Sequence, residues 1–292
     1  MVKKKLAAIG AVLMLHGVAY AATALSANAG SGSEGEDKDA LPSTWAAQGQ
    51  LGLIVTSGNT TTKSGNAAFD AAHQMGLWTL SGGFAALYAS TGPYSTQQDT
   101  NAHVQADLAL SKRTFWFSTA RWDRNLFTGF AYQDSVATGA GYKLIETPAT
   151  LLAGELGVGY RIEKQETLLT GPAGNVISRI RIPGSLQREA VMQAGVNYSH
   201  SITQSTKLVN ALLVQYGSSD TTTTDNLSLQ VKVDATLSLA VGMQLINNTS
   251  PPPGSAKHTD TVVTVNLVYA LKNPKLSATA GTPALVSGFN LP

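Results

Sequence analysis

The chain has 292 residues, 20 of them Lys or Arg against 18 Asp or Glu, and only 13% are charged, about half the roughly 25% usual in soluble domains. Near-neutrality excludes the broad basic face that a nucleic-acid partner needs, and the absence of cysteine excludes disulfides, thiolate metal sites and a lipid anchor on Cys. Beyond the first 21 residues no apolar run reaches the length of a membrane helix, so helical spans are excluded as well.

The N-terminus reads as an export signal. Lys3, Lys4 and Lys5 are basic, residues 6–18 are apolar, and Ala19-Tyr20-Ala21 is a small-x-small cleavage site. Residues 1–21 are therefore expected to be removed, with an alternative cut after residue 29. The apolar run falls short of the roughly 20 residues of a membrane-spanning helix, which argues against an uncleaved anchor. Removing the three signal lysines from the 20 basic residues leaves 17 against 18 acidic ones. Residues 22–44, with the polar run GSGSEGEDKDALPS, read as a flexible periplasmic leader.

From Trp45 to Leu271 apolar and polar residues alternate, the pattern of strands with one apolar face. Twelve such segments are predicted: 45–57, 60–73, 77–90, 97–111, 114–123, 133–143, 150–161, 187–200, 206–218, 225–236, 238–249 and 259–271. In the clearest, Leu227, Leu229, Val231, Val233 and Ala235 share one face, while Asn226, Ser228, Gln230, Lys232 and Asp234 share the other. The segment 114–123 fits worst, because Phe115, Trp116 and Phe117 are consecutive. Short connections at 74–76, 112–113, 144–149, 202–205 and 237 alternate with mostly longer ones, as in bacterial barrels, and Gly58-Asn59 is expected to be a tight hairpin. The fold class predicted is all-β: a transmembrane, antiparallel, up-and-down β-barrel over residues 45–271, followed by a tail at 272–292.

Alternation alone also fits a soluble lipid-carrying barrel, so the direction of the faces decides. The polar face is chiefly Asn, Gln, Ser, Thr and Gly, too lightly charged for an exterior in water but suited to a hydrated lumen. Trp45, Trp78, Tyr88, Trp122, Tyr142, Tyr160, Tyr198, Tyr216 and Tyr269 gather near strand ends, where lipid headgroups would stabilise them.

Two blocks carry a family resemblance. WAAQGQLGLIVTSGNT at 45–60 and RWDRNLFTGFAYQDSVATGAGYKLIETPATLLAGELGVGYRIE at 121–163 resemble the opening and the central pattern of the YdiY-type family, the salt-induced outer-membrane proteins of domain-of-unknown-function family 481. The resemblance implies outer-membrane residence and assigns no catalytic residue. Gly139, Gly141, Gly157 and Gly159 are expected on the inward face, where they permit curvature or make room for neighbours. Outer-membrane barrels commonly end on an aromatic residue in the last strand. Here Leu271 is followed by a further tail, although Val265, Leu267 and Tyr269 keep the spacing of an assembly signal, so the outer-membrane assembly machinery is an expected partner.

No HExxH, nucleophile elbow, phosphate loop or metal cluster occurs, so no catalytic residue, cofactor or metal is predicted. An outer-membrane lipid hydrolase is the alternative in the enzyme class, with His200-Ser201 as its one adjacent pair. Neighbours in a strand point to opposite faces, which works against their pairing. His73 and His103 have no Ser or acid at a diagnostic spacing. The predicted lumen-lining charges are Asp70, Asp107, Glu155, Arg161, Glu189, Lys232 and Asp234, either as a salt-bridged filling, the favoured reading, or along a narrow selective path. The longest connection, 162–186, is expected on the cell surface, where Lys164, Arg179 and Arg181 would meet lipopolysaccharide phosphates unless the loop is merely solvated. A structural or envelope-stress role, with a small pore as an option, is the function expected.

Overall fold

A computed structural model describes residues 43–272 apart from 57–61, 93, 126–128, 171–175 and 252–257. The signal sequence, most of the leader, the Gly58-Asn59 connection and the tail after Lys272 lie outside the described residues. Twelve strands follow in order: β1 Ser43–Thr56, β2 Thr62–Met75, β3 Trp78–Thr91, β4 Tyr94–Ala109, β5 Thr114–Asn125, β6 Phe130–Glu146, β7 Thr150–Thr170, β8 Val176–Ser201, β9 Thr206–Gly217, β10 Thr221–Lys232, β11 Leu237–Asn248 and β12 Thr259–Lys272. Each pairs antiparallel with its sequence neighbours, and β1 pairs with β12 to close the barrel. The start of β1 and the end of β12 mark one rim, here the near rim; the opposite end is the far rim.

The faces divide as the alternation predicts. Leu51, Leu53, Leu156, Val158, Met192, Leu227, Leu229, Val263 and Val265 are exposed on the outside, whereas Gln50, Asn101, Gln193, Asn226, Gln244 and Asn266 are buried inside. This is the reverse of a soluble lipid carrier, whose apolar face would line the interior. Trp45, Trp78, Trp116, Tyr142 and Tyr269 face outward towards the near rim, and Tyr88, Trp122, Tyr160 and Tyr216 towards the far rim. Along β3, the ten steps from Trp78 to Tyr88 rise about 3.3 Å each and, tilted by about 40°, span roughly 25 Å, the height of the apolar band of such barrels. The consecutive aromatics of β5 separate cleanly. Trp116 joins the outer band, while Phe117, on the opposite face, is completely buried inside.

Four near-rim turns share one device. Ser111 Oγ accepts the amide N–H of Thr114 at 2.9 Å, Thr147 Oγ1 that of Thr150 at 2.9 Å, Thr203 Oγ1 that of Thr206 at 2.9 Å, and Asp234 Oδ1 that of Leu237 at 2.8 Å. A short oxygen-bearing side chain thus closes each turn three residues on. Between β2 and β3 the turn is instead Gly76-Leu77, with Gly76 at φ 61°, a backbone state that glycine adopts without steric penalty.

Two sequence expectations change here. β10 ends at Lys232 rather than at 236, because Asp234 binds backbone amides and starts the turn; it is an exposed turn residue, not a lumen residue. The connection expected over 162–186 is largely a hairpin, with Ile162 paired to Arg188, Leu168 to Arg181 and Thr170 to Val176. Main-chain pairing between β7 and β8 sustains it, with Pro183, which cannot donate a ladder hydrogen bond, placed beside a register shift. Arg179 and Arg181 therefore lie on β8.

Two outcomes test this architecture. Leu229→Arg, on the lipid face, is expected to lower folding stability in vesicles by about 2–4 kcal/mol if the site lies at the bilayer midplane, measured by reversible urea unfolding. The amide hydrogen bonds from Thr236 and Leu237 hold the Asp234 carboxyl below its ordinary range. A depressed folded-state pKa contributes stability that is complete above the unfolded value and is lost as pH falls through the folded one. Asp234→Ala is therefore expected to lower the unfolding midpoint at neutral pH and to flatten its decline below about pH 4, with the two proteins converging in acid.

Candidate functional site: the lumen

The inward face is crowded by polar side chains seated over small residues. At one level Asp70, Gly83 and His103 lie side by side on β2, β3 and β4. A Cβ on Gly83 would strike Asp70 Oδ1 and come within 2.7 Å of His103 Cε1, so the missing side chain is what lets these two groups converge. Nearer the near rim, Phe115 occupies the space a side chain at Gly141 would need, and the tip of Phe117 lies 2.8 Å from where a Cβ of Gly157 would stand. The inward glycines thus make room for two aromatic rings.

Hydrogen bonds join strands that are not neighbours. Gln105 Nε2 on β4 donates to Glu155 Oε1 on β7 at 3.2 Å, and Gln215 Nε2 on β9 donates to Ser135 Oγ on β6 at 3.2 Å. Asn66 Nδ2 on β2 donates to Asn266 Oδ1 on β12 at 2.7 Å, above Gly52. Cα atoms of β4 and β8 also come within 8 Å of each other, although in a round twelve-strand barrel strands four apart stand roughly 20 Å away. At that point two walls of the barrel approach each other, and its cross-section is not round.

Arg161 on β7 is the electrostatic hub. It is 1% exposed; its Nε lies 2.8 Å from Glu163 Oε1 and its Nη2 2.6 Å from Glu189 Oε1. Nη1 donates to Thr222 Oγ1 at 2.9 Å and Nη2 to the Asp220 carbonyl at 3.0 Å. Glu163 also accepts from Gln133 Nε2 at 2.9 Å, and Glu189 from Ser218 Oγ at 3.0 Å and Ser219 N at 2.9 Å. One guanidinium therefore ties β6, β7, β8 and β10 together in the far half.

Beside this hub, towards the far rim, lies a small cavity open to solvent, lined by Asp99, Asn101, Arg121, Asp123, Asp134, Gln215 and Gln244 among others. Leu213 and Ile246 supply its apolar patch. Among the described residues no three His, Asp or Glu side chains are arranged to hold a metal.

Of the predicted lumen charges, Asp70, Asp107, Glu155 and Arg161 are buried inside, and Glu189 is brought to Arg161. Lys232 closes β10 at the near rim, exposed, and Asp234 is in the turn. Lys164 donates to the Gly184 carbonyl at 2.9 Å across the β7–β8 hairpin. His200 Nδ1 lies 2.8 Å from Thr150 Oγ1, while Ser201 is the last residue of β8. His73 shares the outward face of β2 with Phe69 and Met75. Sequence reasoning missed Asp99, Arg121, Asp123 and Glu163. Period two, counted from Asn101 on β4 and from Arg161 on β7, already places Asp99 and Glu163 on the inward face.

A closed ring of strands with an apolar belt, two aromatic girdles and a polar interior is a barrel of the Gram-negative outer membrane. The profile of the family described as "Protein of unknown function, DUF481" matches residues 49–271. The chain belongs to this family. Escherichia coli (strain K12) "Uncharacterized protein YdiY" is 22% identical over 272 residues, covering 92% of this DUF481 chain and 100% of that protein. Among solved structures, the translocator domain of autotransporter NalP from Neisseria meningitidis is 9% identical with a TM-score of 0.42, covering 91% of this chain and 98% of that one. An outer membrane channel from Pseudomonas putida F1 is 12% identical with a TM-score of 0.42, covering 82% and 100%. Likeness at this level assigns no activity to the DUF481 barrel.

Removing the hub guanidinium would leave Glu163 and Glu189 buried without their counter-charge. Arg161→Met is therefore expected to destabilise the barrel by about 3–5 kcal/mol, read from urea unfolding. The triple change Arg161→Met, Glu163→Gln, Glu189→Gln is expected to recover most of that loss.

Proposed function

We propose that this barrel is a narrow outer-membrane pore with a preference for small cations. The carrying observation is the charge of the far half of the lumen, where Asp99, Asp123, Glu163 and Glu189 face Arg121 and Arg161. Such an excess of carboxylates in a low-dielectric passage favours cations over anions. Phe115 and Phe117, with the Gln105–Glu155 bridge, form the constriction on the near side. The near rim is taken as periplasmic, in keeping with the short turns that bacterial barrels place there. The far rim then faces outward, with Lys164, Arg179 and Arg181 on the β7–β8 hairpin as the proposed contact to lipopolysaccharide. The signal at 1–21 and delivery by the outer-membrane assembly machinery belong to the same proposal.

A second reading, a sealed barrel with a structural or envelope-stress role, is favoured by the interior side chains that solvent does not reach, Gln50, Asn266 and Phe117 among them. Planar-bilayer recording separates the two. The pore reading expects small single-channel currents and a reversal potential of cation-selective sign under a KCl gradient, with larger currents from Phe117→Ala. Anion selectivity would overturn it, and silence from both proteins after verified insertion would leave the sealed barrel.

A further inference from the structure

We infer that the far-half cavity is a binding site for a small organic cation that carries primary ammonium groups on an alkyl body; this deepens the pore reading by naming the class of solute its vestibule receives. Asp99 is 2% exposed and lines the cavity, yet its Oδ2 has no hydrogen-bond partner among the described residues. An unpaired carboxylate oxygen in such a place is costly unless a donor meets it. Asp123 pairs with Asn101 on the adjacent strand, two residues from Asp99, so the two carboxylates are diagonal neighbours about 7–8 Å apart at their stems. That spacing suits one ammonium group bridging both or a short diamine meeting one at each end.

The rest of the lining narrows the ligand class. Arg161 adds little positive field, because Glu163 and Glu189 already engage it, which leaves Asp99, Asp123 and Asp134 against Arg121 and works against an anion. Among the described residues no three His, Asp or Glu side chains are arranged to strip and hold a divalent ion. A sugar is ordinarily held by an aromatic platform as well as amides, and among the described residues no aromatic one lines the cavity. Leu213 and Ile246 give an alkyl chain an apolar contact, while Gln215 and Gln244 surround it with amides.

The test is calorimetric titration of 1,4-diaminobutane into the full-length barrel refolded in a zwitterionic detergent, with folding verified by heat-modifiable electrophoretic mobility. Saturable binding with one ligand per barrel is expected. A charge-assisted hydrogen bond contributes about 1.5–3 kcal/mol, so Asp99→Asn and Asp123→Asn are each expected to weaken binding at least roughly tenfold. Asp234→Asn, at the opposite rim, is expected to leave it unchanged. Absence of saturable binding to the folded barrel, equal affinity in Asp99→Asn with Asp123→Asn, or displacement by Mg²⁺ well beyond that by KCl of equal ionic strength would each overturn the inference. Cation-selective currents without saturable diamine binding would overturn the site and leave the pore reading standing. Saturable binding with silent bilayers would support the site and remove the pore.

Discussion

Hydrocarbon offers no water to the backbone, so every strand in this barrel depends on the seam where β1 meets β12. That seam, from Ala46↔Lys272 to Leu51↔Leu267, is shorter than the β1–β2 ladder that runs from Ser43↔Met75 to Thr56↔Thr62. Without it, two edges of unpaired N–H and C=O groups would face lipid, each at a free-energy cost of several kcal/mol. Closure also fixes what the side chains do. Once the sheet is a ring, one of the two alternating faces must meet lipid, and the other must fill or line a space of fixed size.

Filling that space is the second constraint, and it explains the small residues inside. Twelve strands enclose more volume than side chains fill in an eight-stranded barrel, yet Phe117, Gln50 and Asn266 are buried. The interior reaches this density by pairing long side chains with glycine or alanine on the neighbouring strand. Asp70 and His103 converge over Gly83, and Asn66 and Asn266 over Gly52. An alanine at these positions would force polar groups away from their places in a region where each needs a partner.

Most of the fold was legible in the residues because period-two alternation and lipid exposure act together. The strand β10, with Leu227, Leu229 and Val231 outside and Asn226, Ser228 and Gln230 inside, could be placed on one pass. Pattern and structure part where a side chain serves the backbone instead of a face. Asp234 continues the alternation of Asn226 to Lys232, but its carboxylate caps the turn through the amides of Thr236 and Leu237. Residues 162–186 read as a loop because Lys, Gln, Pro and Gly interrupt the pattern; main-chain pairing tolerates them at register shifts outside the apolar band. The lumen was legible as a list of inward charges and not as an arrangement. Which carboxylates Arg161 engages depends on stagger across β7, β8 and β10, and no single strand encodes that.

The arrangement matters because stability alone does not account for a buried guanidinium. Replacing a buried ion pair by apolar groups of similar volume is often neutral or stabilising, and this lumen holds apolar groups readily, as Phe115 and Phe117 attest. What Arg161 does that an apolar residue would not is engage Glu163 and Glu189 on its own side of the lumen. The field in the adjoining cavity is then set by Asp99, Asp123, Asp134 and Arg121, a short set on β4, β5 and β6, and no longer by every carboxylate in the far half. A network that looks like structural filling thereby defines which charges a solute would meet. On the proposed pore reading, the division between paired and unpaired carboxylates, more than their number, would give the lumen its chemical preference.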